Sequence, residues 1–115
     1  MDEEANQWLK LSEVAEMAQG TLYGADVYIS SLSTDTRKLH PGDLFVALEG
    51  DRFDGHAFID QVLEQNAKAV FVHKEVNTKL PAIAVDNTLD GLSRWAKAWR
   101  HVVAPKLIAL TGSNG

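Results

Sequence analysis

LFVALEGDRFDGHAFIDQVLEQNAKAVFV, residues 44–72, decides the fold. Leu44-Phe45-Val46-Ala47-Leu48 is a continuous apolar run of strand length, which predicts a strand covered on both faces. Glu49–His56 is polar and carries Gly50 and Gly55, so a loop is expected there. In Ala57–Ala67, Phe58, Ile59, Val62 and Leu63 recur at helical spacing. Ala69-Val70-Phe71-Val72 then reads as a second buried strand. A strand, a helix and a strand in that order make a βαβ unit, whose strands run parallel.

Working outward, His40-Pro41-Gly42-Asp43 carries Pro and Gly in type II turn order. Ser12–Gly20 predicts a helix capped by Ser12, with Leu11, Val14, Ala15 and Ala18 as its apolar stripe. Thr21–Tyr23 and Val27–Ile29 are β-prone pieces around Gly24-Ala25-Asp26, which suits a hairpin. Downstream, Ile83–Val85 predicts a third buried strand after the loop Asn77–Pro81. Thr88–Val103 predicts the longest helix, with Leu89, Leu92, Trp95, Ala96 and Trp99 inward and Asp90 paired to Arg94 at i,i+4. Pro105 is expected to end that helix, and Lys106–Thr111 reads as another buried strand. The class is therefore α/β with a small mixed, partly parallel sheet.

The composition bounds the function. The 115 residues suit one small domain, and 45% hydrophobic residues are enough for a core. A net charge of −5 argues against nonspecific nucleic-acid binding, which needs a basic footprint. A phosphorylated small molecule stays open, because backbone N–H groups hold phosphate without net positive charge. With no cysteine, disulfides, thiolate metal sites and cysteine nucleophiles are excluded. The opening MDEEANQ is acidic, unlike a signal peptide, and no apolar run reaches membrane-span length. A soluble protein of a reducing cytoplasm is expected.

Three stretches could carry chemistry. Gly112-Ser113-Asn114-Gly115 follows an apolar segment in a short Gly-x-x-Gly form, which lets amides converge on an anion. Taken by itself, such a stretch is more often an ordinary turn. Leu110 stands where the full phosphate-loop pattern wants glycine. Ser31–Lys38 is dense in hydroxyls. If it is extended, Thr34 and Thr36 share a face and could hold a diphosphate, while Arg37 fixes Asp35 as a bidentate pair. The other reading is a solvated turn. Glu49–His56 sits at the C-terminal end of a buried strand, where α/β sheets bind ligands, and Phe53 could stack on a base. It also suits a strand-to-helix loop capped by Asp54, with Phe53 in the core. His40, His56, His73 and His101 show no metal-ligand spacing and read as surface or packed residues. Trp95 and Trp99 read as core.

Thr34-Asp35-Thr36-Arg37, Pro41-Gly42-Asp43-Leu44-Phe45-Val46-Ala47-Leu48, Gly50 with Phe53-Asp54-Gly55-His56 and Phe58, and Leu110–Gly115 together resemble the Mur ligases in content and order. The resemblance runs from about Ser12 to Gly115. It implies the N-terminal UDP-binding domain over residues 1–104. Residues 105–115 would be the first strand and truncated phosphate loop of a central ATPase domain, ending before the loop's lysine. It implies UDP contacts at Thr34, Thr36, Asp51, Arg52 and Phe53, and the front of an ATP loop at Thr111, Gly112, Ser113, Asn114 and Gly115. Catalytic residues and any metal site are expected in domains beyond this stretch.

The implied whole enzyme uses ATP and Mg2+ to activate a carboxylate as an acyl phosphate, which an amine then attacks. Thr36, with Phe53-Asp54-Gly55-His56, favours the member that joins D-alanyl-D-alanine to UDP-N-acetylmuramoyl-tripeptide in peptidoglycan precursor synthesis. The alternatives are the member adding the third stem amino acid, or a stand-alone α/β nucleotide-binding or interaction module. A monomer without nucleic-acid or membrane partners, inactive by itself, is expected.

Overall fold

The structure is a computed structural model that describes residues 8–50 and 54–111, with side chains as far as Arg100. In chain order the elements are β1 (Leu9–Lys10), α1 (Leu11–Ala18), β2 (Thr21–Tyr23), β3 (Tyr28–Ile29) and β4 (Leu32–Ser33). A 3-10 turn (Thr36–Lys38), β5 (Leu44–Val46) and a second 3-10 turn (Gly55–Phe58) follow. The chain continues with α2 (Ile59–Glu64), β6 (Ala69–Val72), β7 (Ala82–Ala84) and α3 (Thr88–Thr111). Five strands form one sheet in the order β2-β7-β6-β5-β4. Strands β4 to β7 are parallel, and β2 closes one edge antiparallel to β7.

Alternation along the central strands builds two cores. Leu44 and Val46 on β5, with Ala69 and Phe71 on β6, join Leu11, Val14, Ala15 and Ala18 of α1 and Trp95 of α3. Phe45, Ala47, Val70 and Val72 point the other way and pack on Ile59 and Val62 of α2. A strand buried on both faces has to be apolar throughout, which is why Leu44–Ala47 reads as an unbroken run. Trp8 stacks near Trp95 and meets Trp99 edge-on, with centroids 5.6 and 5.7 Å away, and closes the first core. The Pro41-Gly42 corner forms as expected. Gly42 takes φ +93°, and the Asp43 N–H donates to the His40 carbonyl at 3.1 Å.

Five expectations need correction. Thr21–Tyr23 and Tyr28–Ile29 do not form a hairpin. Thr21 pairs with Ala84 across the sheet, and Ile29 pairs with Leu9 in a separate two-stranded ladder. The open edge of β7 gives β2 three partners and a buried neighbour, which the short Gly24 turn could not. Helix α1 starts one residue before Ser12. Its orphan N–H groups are met by Glu13, which accepts from the Lys10 N–H at 2.9 Å, and by Asp26, which accepts from the Ser12 N–H at 2.9 Å. Leu89 is 63% exposed and Ala96 is exposed, so only Leu92, Trp95 and Trp99 of the expected stripe face the core.

Asp90 does not hold Arg94. The guanidinium instead donates to the Ala18 carbonyl at the end of α1 and to Asp86, both at 2.8 Å. A cation there meets a free carbonyl at the negative end of the helix. Finally, Lys106–Thr111 is not a strand, since α3 runs on through Pro105 to Thr111. Among the described residues this segment has no strand to pair with. A helix bonds most of its backbone within the segment, Pro105 forfeiting one donor.

Candidate functional site

The C-terminal ends of β4, β5, β6 and β7 lie along one edge of the sheet. Parallel pairing with Ser33 opposite Phe45 makes the β4 and β5 exits neighbours, so Thr34–Arg37 and Ala47–Gly50 leave the sheet side by side. This is the edge at which open α/β sheets take ligands.

The β4 exit is held by bonds that span two residues. The Ser33 hydroxyl donates to the Asp35 carbonyl at 2.9 Å. Asp35 accepts the Arg37 N–H at 2.9 Å and caps the Thr36–Lys38 turn. Arg37 Nε and a terminal guanidinium nitrogen each reach one Asp35 oxygen at 3.2 Å, the fork the sequence suggested. Hydrogen bonding from Arg37 holds the Asp35 carboxyl below its ordinary range, and Asp35 raises Arg37 in return. Thr36 opens a turn, so the two-residue alternation that would put Thr34 and Thr36 on one strand face stops at Asp35. Both threonines are half-buried.

The β5 exit is built from residues far apart in sequence. Gly55 is buried, and its N–H donates to the Leu48 carbonyl at 2.7 Å. A Cβ there would meet Ala47 Cα at 3.0 Å and Leu48 N at 3.1 Å, backbone atoms that cannot move aside. Asp54 caps the second 3-10 turn by accepting the His56 N–H at 3.0 Å, as the sequence suggested.

The His56 ring, 6% exposed, has Nδ1 at 2.6 Å from Asp54 Oδ1, while its Nε2 accepts the backbone N–H of His73 at 3.1 Å. Because that N–H can only donate, the ring proton sits on Nδ1. The His73 ring stands edge-on to His56 at 4.5 Å. Its Nε2 meets Glu49 Oε1 at 2.9 Å, and its Nδ1 meets the hydroxyl of Thr88, a buried residue at the start of α3.

Lys74 completes the cluster, with Nζ 2.5 Å from Asp54 Oδ2 and 3.2 Å from Glu49 Oε2. Its ammonium and the His56 bonds hold Asp54 far below the usual carboxylate range. His73 and then Lys74 lower Glu49, and the two acids raise Lys74. A groove of about 270 Å³ lies outside the cluster against His56, Asp60, Lys74 and Asn77. A larger one of about 650 Å³ lies between Lys74, Leu80, Ala84 and Tyr23. Thr34 and Thr36 line neither.

Asp51, Arg52, Phe53, Gly112, Ser113, Asn114 and Gly115 lie outside the described residues, and Thr111 is in α3. The polar cluster was missed because Glu49, His56, His73 and Thr88 follow no spacing rule. Among the described residues, no group of three or more His, Cys, Asp or Glu side chains could hold a metal ion.

Residues 28–103 match the family model described as "Mur ligase family, catalytic domain". The chain is 42% identical over 91% of its length to the UDP-N-acetylmuramoyl-tripeptide–D-alanyl-D-alanine ligase of Escherichia coli, of which it covers 23%. A crystal structure of MurF from Acinetobacter baumannii superposes with a TM-score of 0.75 at 26% identity, over 81% of this chain and 21% of that one. MurF ligase from Thermotoga maritima, solved in complex with ADP, gives 0.55 at 33% identity, over 62% of this chain and 17% of that one. The chain thus spans about a quarter of the length of the curated relatives it matches. With the family model covering most of a chain whose parallel-sheet edge carries the expected hydroxyl loop, the protein belongs to the Mur ligase family.

Proposed function

We propose that this chain forms the part of an ATP-dependent ligase that binds the UDP end of UDP-N-acetylmuramoyl-tripeptide, to which the whole enzyme joins D-alanyl-D-alanine. The identity to the Escherichia coli ligase carries this reading. It is supported by the position of Thr34 and Thr36, half-buried at the exit of a parallel strand. Among the described residues neither hydroxyl is taken by a bond, whereas Ser33, Asp35 and Arg37 satisfy one another. Hydroxyls and turn amides hold a diphosphate well, and Arg37 adds a cation at 86% side-chain exposure. We assign Asp51, Arg52 and Phe53 to the same ligand on the family resemblance.

We assign phosphoryl transfer to the remainder of the ligase on the family resemblance. ATP and Mg2+ would be held by the remainder of the ligase, with Thr111–Gly115 as the front of the ATP loop, so residues 1–104 form the UDP domain. Such an enzyme serves cell-wall assembly, and through it cell shape and division. Its reaction belongs in the cytoplasm, consistent with the lack of cysteine. No described helix is long and apolar enough to cross a membrane. A monomer with small-molecule rather than nucleic-acid ligands fits the net charge of −5.

The test is an amide-resolved NMR titration with UDP-N-acetylmuramic acid and, separately, ATP. The sugar nucleotide should shift Thr34–Arg37. Thr36→Val should weaken it about 3–10-fold, the worth of one hydrogen bond. A sugar nucleotide that leaves Thr34–Arg37 unmoved sinks the assignment.

A further inference from the structure

We infer that Lys74 is a positioning residue, a clasp that pins Glu49 to Asp54 and so sets the shape of the binding edge beside Thr34–Arg37. The inference rests on the sugar-nucleotide reading for its consequence, but its geometry stands apart from it. Glu49 and Asp54 face each other across an isolated antiparallel bridge, which brings two carboxylates together at the β5 exit. Two adjacent residues at the end of β6 hold them. Lys74 takes Glu49 Oε2 and Asp54 Oδ2. His73 takes Glu49 Oε1 with its ring and, through its backbone N–H, the His56 ring that takes Asp54 Oδ1.

All four carboxylate oxygens are used, and the bonds form a closed ring through Glu49, Lys74, Asp54, His56 and His73. The ring carries two negative charges and one lysine. Without the ammonium, the carboxylates would repel across the bridge, with no other lysine or arginine among the described residues paired to them. The structural readout of the closed ring is the Gly55 N–H, whose 2.7 Å bond to Leu48 lies next to it.

Lys74→Met should raise hydrogen exchange at Gly55 at least tenfold, while the Ala47 and Val70 amides, bonded to Phe71 and Pro81 within the sheet, keep their wild-type protection. Lys74→Arg should keep Gly55 protected. Lys74→Met/Glu49→Gln removes the repulsion and should recover much of the protection. UDP-N-acetylmuramic acid affinity should follow the same order, falling about tenfold in Lys74→Met and returning in the double variant.

Wild-type exchange at Gly55 in Lys74→Met overturns the inference. So does an affinity lost in Lys74→Met and not recovered with Glu49→Gln although Gly55 protection is, since Lys74 would then be touching the ligand itself. If Lys74→Met fails to fold, the double variant decides: folding restored supports the clasp, and folding not restored overturns it. If the wild-type chain ignores the sugar nucleotide, the functional reading fails while Gly55 exchange still decides the clasp.

Discussion

The loop after β4 and the loop after β5 leave neighbouring parallel strands at the same edge, yet they are held in different ways. Thr34–Arg37 is shaped by Asp35 and Ser33, whose bonds span two residues. The ends of the Glu49–Asp54 segment are shaped by His73, Lys74 and, through His73, Thr88, which lie 15 or more residues from their partners. The first loop can take its shape as soon as its strand ends. In the second, Glu49 and Asp54 meet their partners only once β6 lies beside β5 and α3 has docked. A loop of the first kind tolerates damage elsewhere in the chain, whereas one of the second kind reports on the packing of the sheet.

The strongest way to break this contrast is to damage the sheet both loops stand on. Phe71 is fully buried against Trp95, with ring centroids 6.0 Å apart. Phe71→Ala should cost about 3–5 kcal/mol by thermal or denaturant unfolding. A large part of the stability of a domain this size would go with it. Near the new midpoint, Thr34–Arg37 should keep its local shifts longer than Gly55 and His56. Simultaneous loss would erase the distinction.

His56→Ala acts on the second loop alone. It strips the acceptor from the His73 N–H and one partner from Asp54. An orphaned N–H in a nearly closed site should cost about 1–3 kcal/mol. The effect should be visible as a lower melting temperature with Thr34–Arg37 shifts unchanged. A neutral outcome would mean that water replaces the ring without penalty.

Acid sharpens the comparison further. Asp54, Glu49 and Asp35 all have folded pKa values below their ordinary ones, so their stabilisation is present above the unfolded values of 3.8 to 4.5. It is lost as pH falls through the depressed folded values. Asp54 is depressed furthest, so its contacts should be the last to release. Carboxyl-carbon NMR should place its midpoint below that of Glu49, and the reverse order would contradict the 2.5 Å contact with Lys74. The smallest effect is expected from Arg37→Ala. The fork to Asp35 is exposed, and its loss should move the melting temperature by no more than the error of the measurement. Sugar-nucleotide affinity should still drop if the free face of Arg37 serves a phosphate.

The sequence alone determined the frame. Apolar runs at Leu44–Leu48 and Ala69–Val72, the Pro41-Gly42 corner, the Asp35–Arg37 fork and the Asp54 cap are all decided within a few residues. There, covalent geometry and side-chain reach leave little choice. Tertiary structure decided the rest. Which edge β2 would join depended on β7 offering one. Which oxygen Arg94 would meet depended on where α1 ended against α3. Whether Lys106–Thr111 would be strand or helix depended on the partners at hand, because an apolar segment satisfies its backbone within itself unless a neighbouring strand does so. The ring of Glu49, Asp54, His56, His73 and Lys74 belongs with these. Each member is an ordinary polar residue in sequence, and only parallel packing of β5 on β6 brings their charges within reach of one another.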